Sequence, residues 1–151
     1  MIQVTKEFTF DSAHFLPNYY GKCERMHGHT FRLQVTVEGP INQSGLAFDF
    51  TMLKKIVREK VVDQLDHQLI NDLIKIPSAE NTAVWIWNQL VDLGSHIEHQ
   101  LKDPNLAKAV SKYFHPEEDS SIDPSDIFSE VRLVEVKLWE TPTSFVTYRE
   151  A

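Results

Sequence analysis

Apolar and polar residues alternate along two stretches near the N-terminus, and this pattern limits the fold more than any other feature. In Ile2–His14 the even positions are mostly apolar and the odd positions are mostly polar, which predicts a strand with one buried face. The stretch from about residue 29 to residue 38 shows the same alternation, with apolar side chains at the odd positions. Two further strands are predicted near the C-terminus, at about 131–140 and 144–150.

Helical periodicity separates the two pairs of predicted strands. Apolar residues recur at three- and four-residue spacing from about 50 to 65, which predicts an amphipathic helix. A second helix is predicted to begin after Pro77 with Ser78 as its N-cap, and Gly94 is expected to end it. The order is therefore β-β-α-α-β-β, which predicts an α+β fold: a four-stranded antiparallel sheet with both helices packed on one face.

Residues 95–130 interrupt this order and differ in composition. They contain several histidines and the acidic run PEEDSSIDPSD, and a short amphipathic helix near 97–113 followed by a loop is expected there. His96, His99 and His115 lie in this polar stretch and are interpreted as surface residues. Because no internal repeat is apparent, residues 1–151 are predicted to form a single domain with an insertion at about 95–130.

Charge and cysteine content argue against several classes of protein. The formal net charge is −7 and no basic cluster is longer than Lys54-Lys55, so a nucleic-acid partner is not expected, although a local basic pocket for a small anion stays open. No stretch approaches the roughly 20 apolar residues of a membrane helix, so no membrane partner is expected. The single cysteine, Cys23, excludes an internal disulfide. The single cysteine favours a reducing, cytoplasmic setting, and so does an N-terminal stretch that lacks the pattern of a signal peptide.

Three histidines share one predicted face of the sheet. His27 and His29 are two residues apart on a strand, so both side chains point to the same side, about 7 Å apart. An isolated pair of this kind is often incidental, but His14 also has the apolar parity of its own strand. If the two strands form a hairpin, the three imidazoles converge at one end of the sheet. Three histidines with an open fourth position are typical of a catalytic zinc site.

Other candidate groups leave alternatives open. Cys23 is a fourth zinc ligand that closes the site, or a free thiol beside the metal where the nearby cation favours the thiolate, or a small buried residue. Asp66-His67 is a carboxylate–imidazole pair of the kind used in acid/base catalysis, although neighbours in sequence need not touch. Glu140 shares the parity of the apolar residues before it, so its carboxylate either has a partner there or ends the strand in solvent.

Together these segments resemble the 6-pyruvoyl-tetrahydropterin synthase / 6-carboxytetrahydropterin synthase family. The resemblance rests on FDSAHFLP, CERMHGH, GLAFDFTMLKK, LDHQLIND, PSAENTAVWIW and KLWET, which follow the family's order over about 5–93 and 131–150. The three residues between Cys23 and the His-Gly-His motif are similar to the carboxy-type branch. The pyruvoyl-type branch usually has a longer gap at this point.

The resemblance implies a fold, a reaction and a set of residue roles. The fold would be the tunnelling fold (T-fold), whose small subunits assemble into rings, with a homo-hexamer built as a dimer of trimers expected for this chain. The small-molecule substrate would be 7,8-dihydroneopterin triphosphate, and the carboxy-type product would enter 7-deazaguanine (queuosine) synthesis. The implied roles are zinc ligands at His14, His27 and His29, a catalytic base at Cys23 that acts with Asp66 and His67, and pterin contacts at Glu140, Ser78 and Glu80.

Two departures from the family's pattern bear on the site and the assembly. Ala79 stands where relatives often have Ser or Thr, and the 95–130 insertion is longer than in compact members. Two other hypotheses remain open. One is a 6-pyruvoyl-tetrahydropterin synthase with the same site and substrate, and the other is a non-catalytic zinc-binding assembly module with a closed site of one cysteine and three histidines.

Overall fold

Five strands form one mixed sheet in the computed structural model, which describes residues 1–42, 44–114 and 128–151. They are β1 (Ile2–His14), β2 (His27–Gly39), β3 (Gln68–Leu69), β4 (Arg132–Thr141) and β5 (Ser144–Tyr148). Their order across the sheet is β3-β1-β2-β4-β5. The four long strands pair antiparallel with their neighbours, as predicted, whereas β3 pairs parallel with β1. A two-residue strand is too short to show a periodicity, and it was not predicted.

The helices are α1 (Phe50–Val57), α2 (Asp63–Leu65), α3 (Ala79–Leu90), α4 (Leu93–Gln100) and α5 (Pro104–Phe114). The helix predicted at 50–65 is present, but its middle turn, Arg58–Val62, has the wider π-type geometry. Short 3-10 turns cover Lys22–Glu24 and Ile70–Asp72. Within the described ranges no helix is long and apolar enough to cross a membrane.

Two helix boundaries differ from prediction. The helix α3 begins as expected after Ser78, whose hydroxyl accepts a hydrogen bond from the Asn81 amide, but it ends at Leu90. Gly94 does not end it, because Asp92 caps a new helix by accepting from the Ser95 amide, and Gly94 lies inside that helix. The helix expected at 97–113 is divided into α4 and α5, and the acidic run that follows, with His115, lies outside the described residues.

One face of the sheet forms the hydrophobic core with the helices. Even positions of β1 and odd positions of β2 point to this face because the chain alternates sides at each residue of a strand. The buried residues that they contribute include Phe8, Phe10, Phe31, Leu33 and Val35. The helix α1 packs on β1, and α3 packs on β4 and β5. The prediction of an α+β fold with helices on one sheet face is therefore confirmed.

Candidate metal centre and active site

The antiparallel register of β1 and β2 brings three histidines together at one end of the core face. His14 lies directly opposite His27, and His29 lies opposite Ser12. The ring centroids are 4.6 Å apart for His14 and His27, 5.1 Å for His14 and His29, and 4.8 Å for His27 and His29. A potential ligand atom from each of these rings and one from Glu140 all lie within 4.8 Å of one another. These four side chains could hold one metal ion.

Hydrogen bonds to backbone carbonyls orient two of the imidazoles. His14 Nδ1 lies 2.8 Å from the carbonyl oxygen of Pro77, and His27 Nδ1 lies 2.7 Å from that of Arg25. A carbonyl can only accept, so each Nδ1 carries the proton and donates, which leaves the Nε2 lone pair free. Metal-binding histidines are commonly oriented in this way.

Two of the imidazole nitrogens are buried without a hydrogen-bond partner. They are Nε2 of His14 and Nε2 of His29, and among the described residues no donor or acceptor satisfies them with hydrogen-bond geometry. A buried polar atom that lacks a partner is costly unless something else binds it. The residues therefore fit a divalent cation with an affinity for nitrogen ligands, such as Zn²⁺.

Electrostatics favour the neutral, metal-binding form of His29. Burial lowers the pKa of its imidazole below the usual value, and the neighbouring His14 and His27 lower it further, while the Glu140 carboxylate opposes them. A neutral imidazole has the lone pair that a metal requires, whereas an imidazolium does not. His29 is thus predominantly neutral near pH 7.

Glu140 approaches the histidines from the core face of β4, whose parity it shares with Val136 and Leu138. The pairing of β4 with β5 shifts register between Trp139 and Thr141, so Glu140 is the extra residue of a bulge. Its Oε1 lies 3.1 Å from His29 Nε2 and 3.8 Å from His14 Nε2. The family resemblance implies a pterin contact for Glu140, and its proximity to the histidines was not predicted. The sequence feature that indicates this position is the parity that Glu140 shares with the apolar residues of β4, which places it on the core face.

Asp66 and His67 form a contact pair held on the backbone of β1. His67 Nδ1 lies 3.0 Å from Asp66 Oδ2. The amide of Asp11 donates to Asp66 Oδ1 at 2.9 Å, and the amide of His67 donates to the Asp11 carbonyl at 2.6 Å. The bond from Asp11 and then the bond from His67 hold the pKa of Asp66 below its usual range, and Arg58 adds a smaller electrostatic effect. Asp66 is therefore ionised near pH 7 and can orient the imidazole.

One cavity of about 620 Å³ is lined by His67 of this pair and by His29 of the histidine cluster. Asp11 also lines the cavity, and its carboxylate accepts a hydrogen bond of 2.5 Å from the Thr30 hydroxyl. Asp11, Asp66 and His67 form a second group with ligand atoms within 4.8 Å of one another. The sequence did not single out Asp11, because its odd position in β1 marks only an outward-facing polar residue.

The remaining candidates lie around this end of the sheet in different settings. Cys23 is partly exposed in the 3-10 turn, and its carbonyl accepts from the Leu16 amide at 2.7 Å, but its sulfur is not in the four-residue group described above. Ser78 uses its hydroxyl to cap α3 and follows Pro77, the residue that orients His14. Glu80 is exposed in the first turn of α3.

The fold and the site define an α+β protein with a candidate three-histidine metal centre at one end of its sheet. Comparison with solved structures supports this architecture. A 6-pyruvoyl tetrahydropterin synthase from Caenorhabditis elegans superposes with a TM-score of 0.67 at 21% identity, over 99% of this chain and 96% of that one. The T-fold implied by the sequence motifs is therefore confirmed.

Sequence comparisons identify the family. The model of the 6-pyruvoyl tetrahydropterin synthase family matches residues 3–112. A 6-carboxy-5,6,7,8-tetrahydropterin synthase of Haemophilus influenzae is 32% identical over 99% of this chain and 100% of its own length. A 6-pyruvoyl tetrahydrobiopterin synthase of Dictyostelium discoideum is 30% identical over 97% of this chain and 94% of its own length. The chain belongs to the 6-pyruvoyl tetrahydropterin synthase family, a family of pterin synthases.

Proposed function

We propose that the chain is a zinc-dependent 6-carboxy-5,6,7,8-tetrahydropterin synthase. It would convert 7,8-dihydroneopterin triphosphate and water to 6-carboxytetrahydropterin, acetaldehyde and triphosphate, as a step in 7-deazaguanine (queuosine) biosynthesis. The observation that carries the proposal is the convergence of His14, His27 and His29, two of them with a buried Nε2 that lacks a partner. The carboxy-type relative that matches the whole chain supports this product over others.

Zinc would be bound by the three imidazoles, and it supplies a Lewis acid that polarises an oxygen of the substrate's side chain. The chain's own residues would bind the substrate and move its protons. His67 would transfer protons within the cavity that it shares with His29, and Asp66 would hold its ring in position. Cys23, in the partly exposed turn between β1 and β2, would act as the second proton-transferring group.

Glu140 would bind the pterin rather than the metal. An ionised carboxylate only accepts hydrogen bonds, so it suits the 2-amino group and the ring N–H of a pterin, which are both donors. As a fourth protein ligand it would close the centre, and a closed tetrahedral centre is structural rather than catalytic. Ser78 and Glu80 would complete the pterin pocket at the start of α3, with Ala79 supplying no hydroxyl there.

The assembly that we propose is a homo-hexamer, a dimer of trimers, formed by a single domain of residues 1–151 with the insertion at about 95–130. In one chain β3 pairs with β1 only at Ser12 and Ala13, so most of this edge of the sheet is open. Open strand edges invite pairing with another chain. Light scattering should then give a native mass that is a multiple of three chains, and a monomer at micromolar concentration would contradict it. The cytoplasmic setting stays a prediction.

Product analysis tests the proposed reaction. Zinc-loaded protein incubated with 7,8-dihydroneopterin triphosphate should release acetaldehyde and 6-carboxytetrahydropterin, both identified by mass. The second candidate is the pyruvoyl-type synthase, favoured by the Dictyostelium discoideum relative; it would yield 6-pyruvoyl-tetrahydropterin without acetaldehyde. A zinc-loaded protein that consumes no substrate would favour the non-catalytic zinc module instead.

A further inference from the structure

The side-chain amide of Asn71 binds the backbone of Phe15, the first residue after β1. The Phe15 amide donates to Asn71 Oδ1 at 3.0 Å, and Asn71 Nδ2 donates to the Phe15 carbonyl at 3.0 Å. A backbone N–H can only donate and a carbonyl can only accept, so both ends of the side-chain amide are assigned by their partners. The side chain therefore pairs with the backbone of Phe15 as a neighbouring strand would.

This contact lies on the same edge of β1 that Asp66 and His67 occupy. Asp11 binds those two residues through its own amide and carbonyl. Phe15 lies four residues further along, and its N–H and C=O groups point to the same edge because alternate residues of a strand share an edge. Between these contacts lies β3, which pairs with β1 over two residues. This end of the β1 edge is thus filled from within the chain, unlike its open part nearer the N-terminus.

Asn71 is held by the turn that carries it. It lies in the 3-10 turn Ile70–Asp72, and the Ile70 carbonyl accepts hydrogen bonds from the amides of Leu73 and Ile74, both at 2.9 Å. The side chain of Ile70 is fully buried in the core. The side-chain amide of Asn71 is therefore presented from a fixed backbone, as a residue that positions another segment requires.

The residue after Phe15 connects this contact to Cys23. The Leu16 amide donates to the Cys23 carbonyl at 2.7 Å and so joins the two arms of the loop of residues 15–26 between β1 and β2. Other backbone bonds inside this loop join residues three apart, so they shape its turns without attaching it to the sheet. Cys23 is therefore joined to Asn71 through two consecutive residues, Phe15 and Leu16.

We propose that Asn71 is a positioning residue for Cys23: it attaches the loop at Phe15, and through Leu16 it fixes the turn that carries the thiol. The inference rests on the function proposed above, in which Cys23 transfers a proton. Proton transfer requires a group within hydrogen-bond reach of its target, and a displacement of about 1 Å can cost a factor of about 100 in rate. No residue of the turn around Cys23 is buried, so core packing does not fix the thiol and hydrogen bonds have to.

Hydrogen exchange of the full-length, zinc-loaded protein tests this attachment without turnover. Asn71→Asp keeps an acceptor for the Phe15 amide but sets a second oxygen against the Phe15 carbonyl, which breaks the paired contact. Exchange of the amides in residues 15–26 should then become roughly tenfold faster, because it follows local opening. The matched control is Asn88→Asp, the same change at an exposed position of α3, and it should leave exchange in this loop unchanged.

Kinetics separate positioning from a general loss of structure. With 7,8-dihydroneopterin triphosphate, Asn71→Asp should lower kcat about tenfold or more, while KM and zinc content stay within about twofold of wild type. If Asn71 acts through Cys23, the double variant Cys23→Ala/Asn71→Asp should be no slower than Cys23→Ala alone. If circular dichroism shows that Asn71→Asp does not fold, Asn71→Ala takes its place, because it removes both bonds without adding a charge.

Unchanged exchange in residues 15–26, or equal acceleration by Asn71→Asp and Asn88→Asp, would overturn the proposal. Faster exchange with a wild-type kcat would also overturn it, as would a loss of activity from Asn71→Asp that persists in full without the Cys23 thiol. A wild-type protein without activity would contradict the synthase function alone, and exchange in the loop would still decide whether Asn71 holds it in place.

Discussion

The carboxylate of Glu140 lies 3.1 Å from Nε2 of His29, although the two residues are 111 positions apart in the chain. Two features of the fold produce this contact: the pairing of β2 with β4 and the parity of Glu140 on the core face. The contact places an acceptor-only group beside nitrogen atoms that suit a metal. Glu140 could therefore bind either the metal or the pterin, and its role has to be tested separately from that of the histidines.

Removal of one histidine should abolish stoichiometric zinc. His27→Ala or His29→Ala leaves two imidazoles, and we expect a loss of affinity greater than the roughly 10–100-fold caused by removing an outer-shell partner. The fold should persist, because both residues lie beyond the fully buried core. A zinc assay on the purified protein measures the metal content per chain, and circular dichroism of the same preparation checks that the fold persists. His99→Ala, an exposed histidine on α4, is the control and should keep its zinc. One tightly bound zinc in both site variants would exclude the assignment.

Substitution of Cys23 should separate metal binding from catalysis. Its sulfur is not in the group of atoms that could hold the metal, so Cys23→Ala should retain full zinc. If the thiol moves a proton, turnover should fall about 100-fold or more. The measurement is kcat on dihydroneopterin triphosphate beside a zinc assay of the same preparation. A loss of zinc together with activity would instead favour a closed, structural site that includes Cys23.

Glu140→Gln tests whether the carboxylate binds the pterin. The amide keeps the shape but replaces one acceptor oxygen with a donor, which would face the donors of the pterin. Unmatched buried polar groups cost about 1–3 kcal/mol, so kcat/KM should fall by roughly tenfold to several hundredfold at about 1.4 kcal/mol per tenfold. Zinc content should not change. Near wild-type efficiency would remove Glu140 from the substrate site, and loss of zinc would make it a ligand.

The ion pair of Glu38 with Arg132 should stabilise the folded state at neutral pH and lose this effect at acidic pH. Hydrogen bonds from Arg132, and secondly from Gln3, hold the pKa of Glu38 below its usual value. A carboxyl group whose pKa is lower in the folded state stabilises the fold above its unfolded pKa of about 4.3. That contribution is lost as the pH falls through the lower, folded-state pKa.

Arg132→Gln should therefore lower Tm at pH 7, and the difference from wild type should shrink below about pH 4 as Glu38 is protonated. Thermal unfolding at several pH values measures this. Lys108→Gln makes the same charge change at an exposed site and should not reproduce the effect. A difference in Tm that stays constant down to pH 3 would show that Glu38 is not the group responsible.

Local patterns in the sequence were enough to predict the four long strands and the parity of their residues. Alternation at each residue of a strand is a property of the backbone, so the common face of His14, His27 and His29 follows once the strands are recognised. The N-cap of α3 at Ser78 was predictable for a similar reason, because a capping hydroxyl acts on an amide three residues away. The family motifs then supplied the T-fold, since they carry information from related chains.

Tertiary structure decided the contacts between distant segments. The pairing of His14 with His27, the attachment of Asp66 and His67 to the backbone of Asp11, and the approach of Glu140 to His29 depend on the register of separate elements. The strand β3 exists only because Gln68 and Leu69 pair with β1. Gly94 does not end α3, because α3 already ends at Leu90 and Asp92 caps a new helix that contains Gly94. Such contacts join groups that are remote in the chain, whereas periodicity reports only on neighbours.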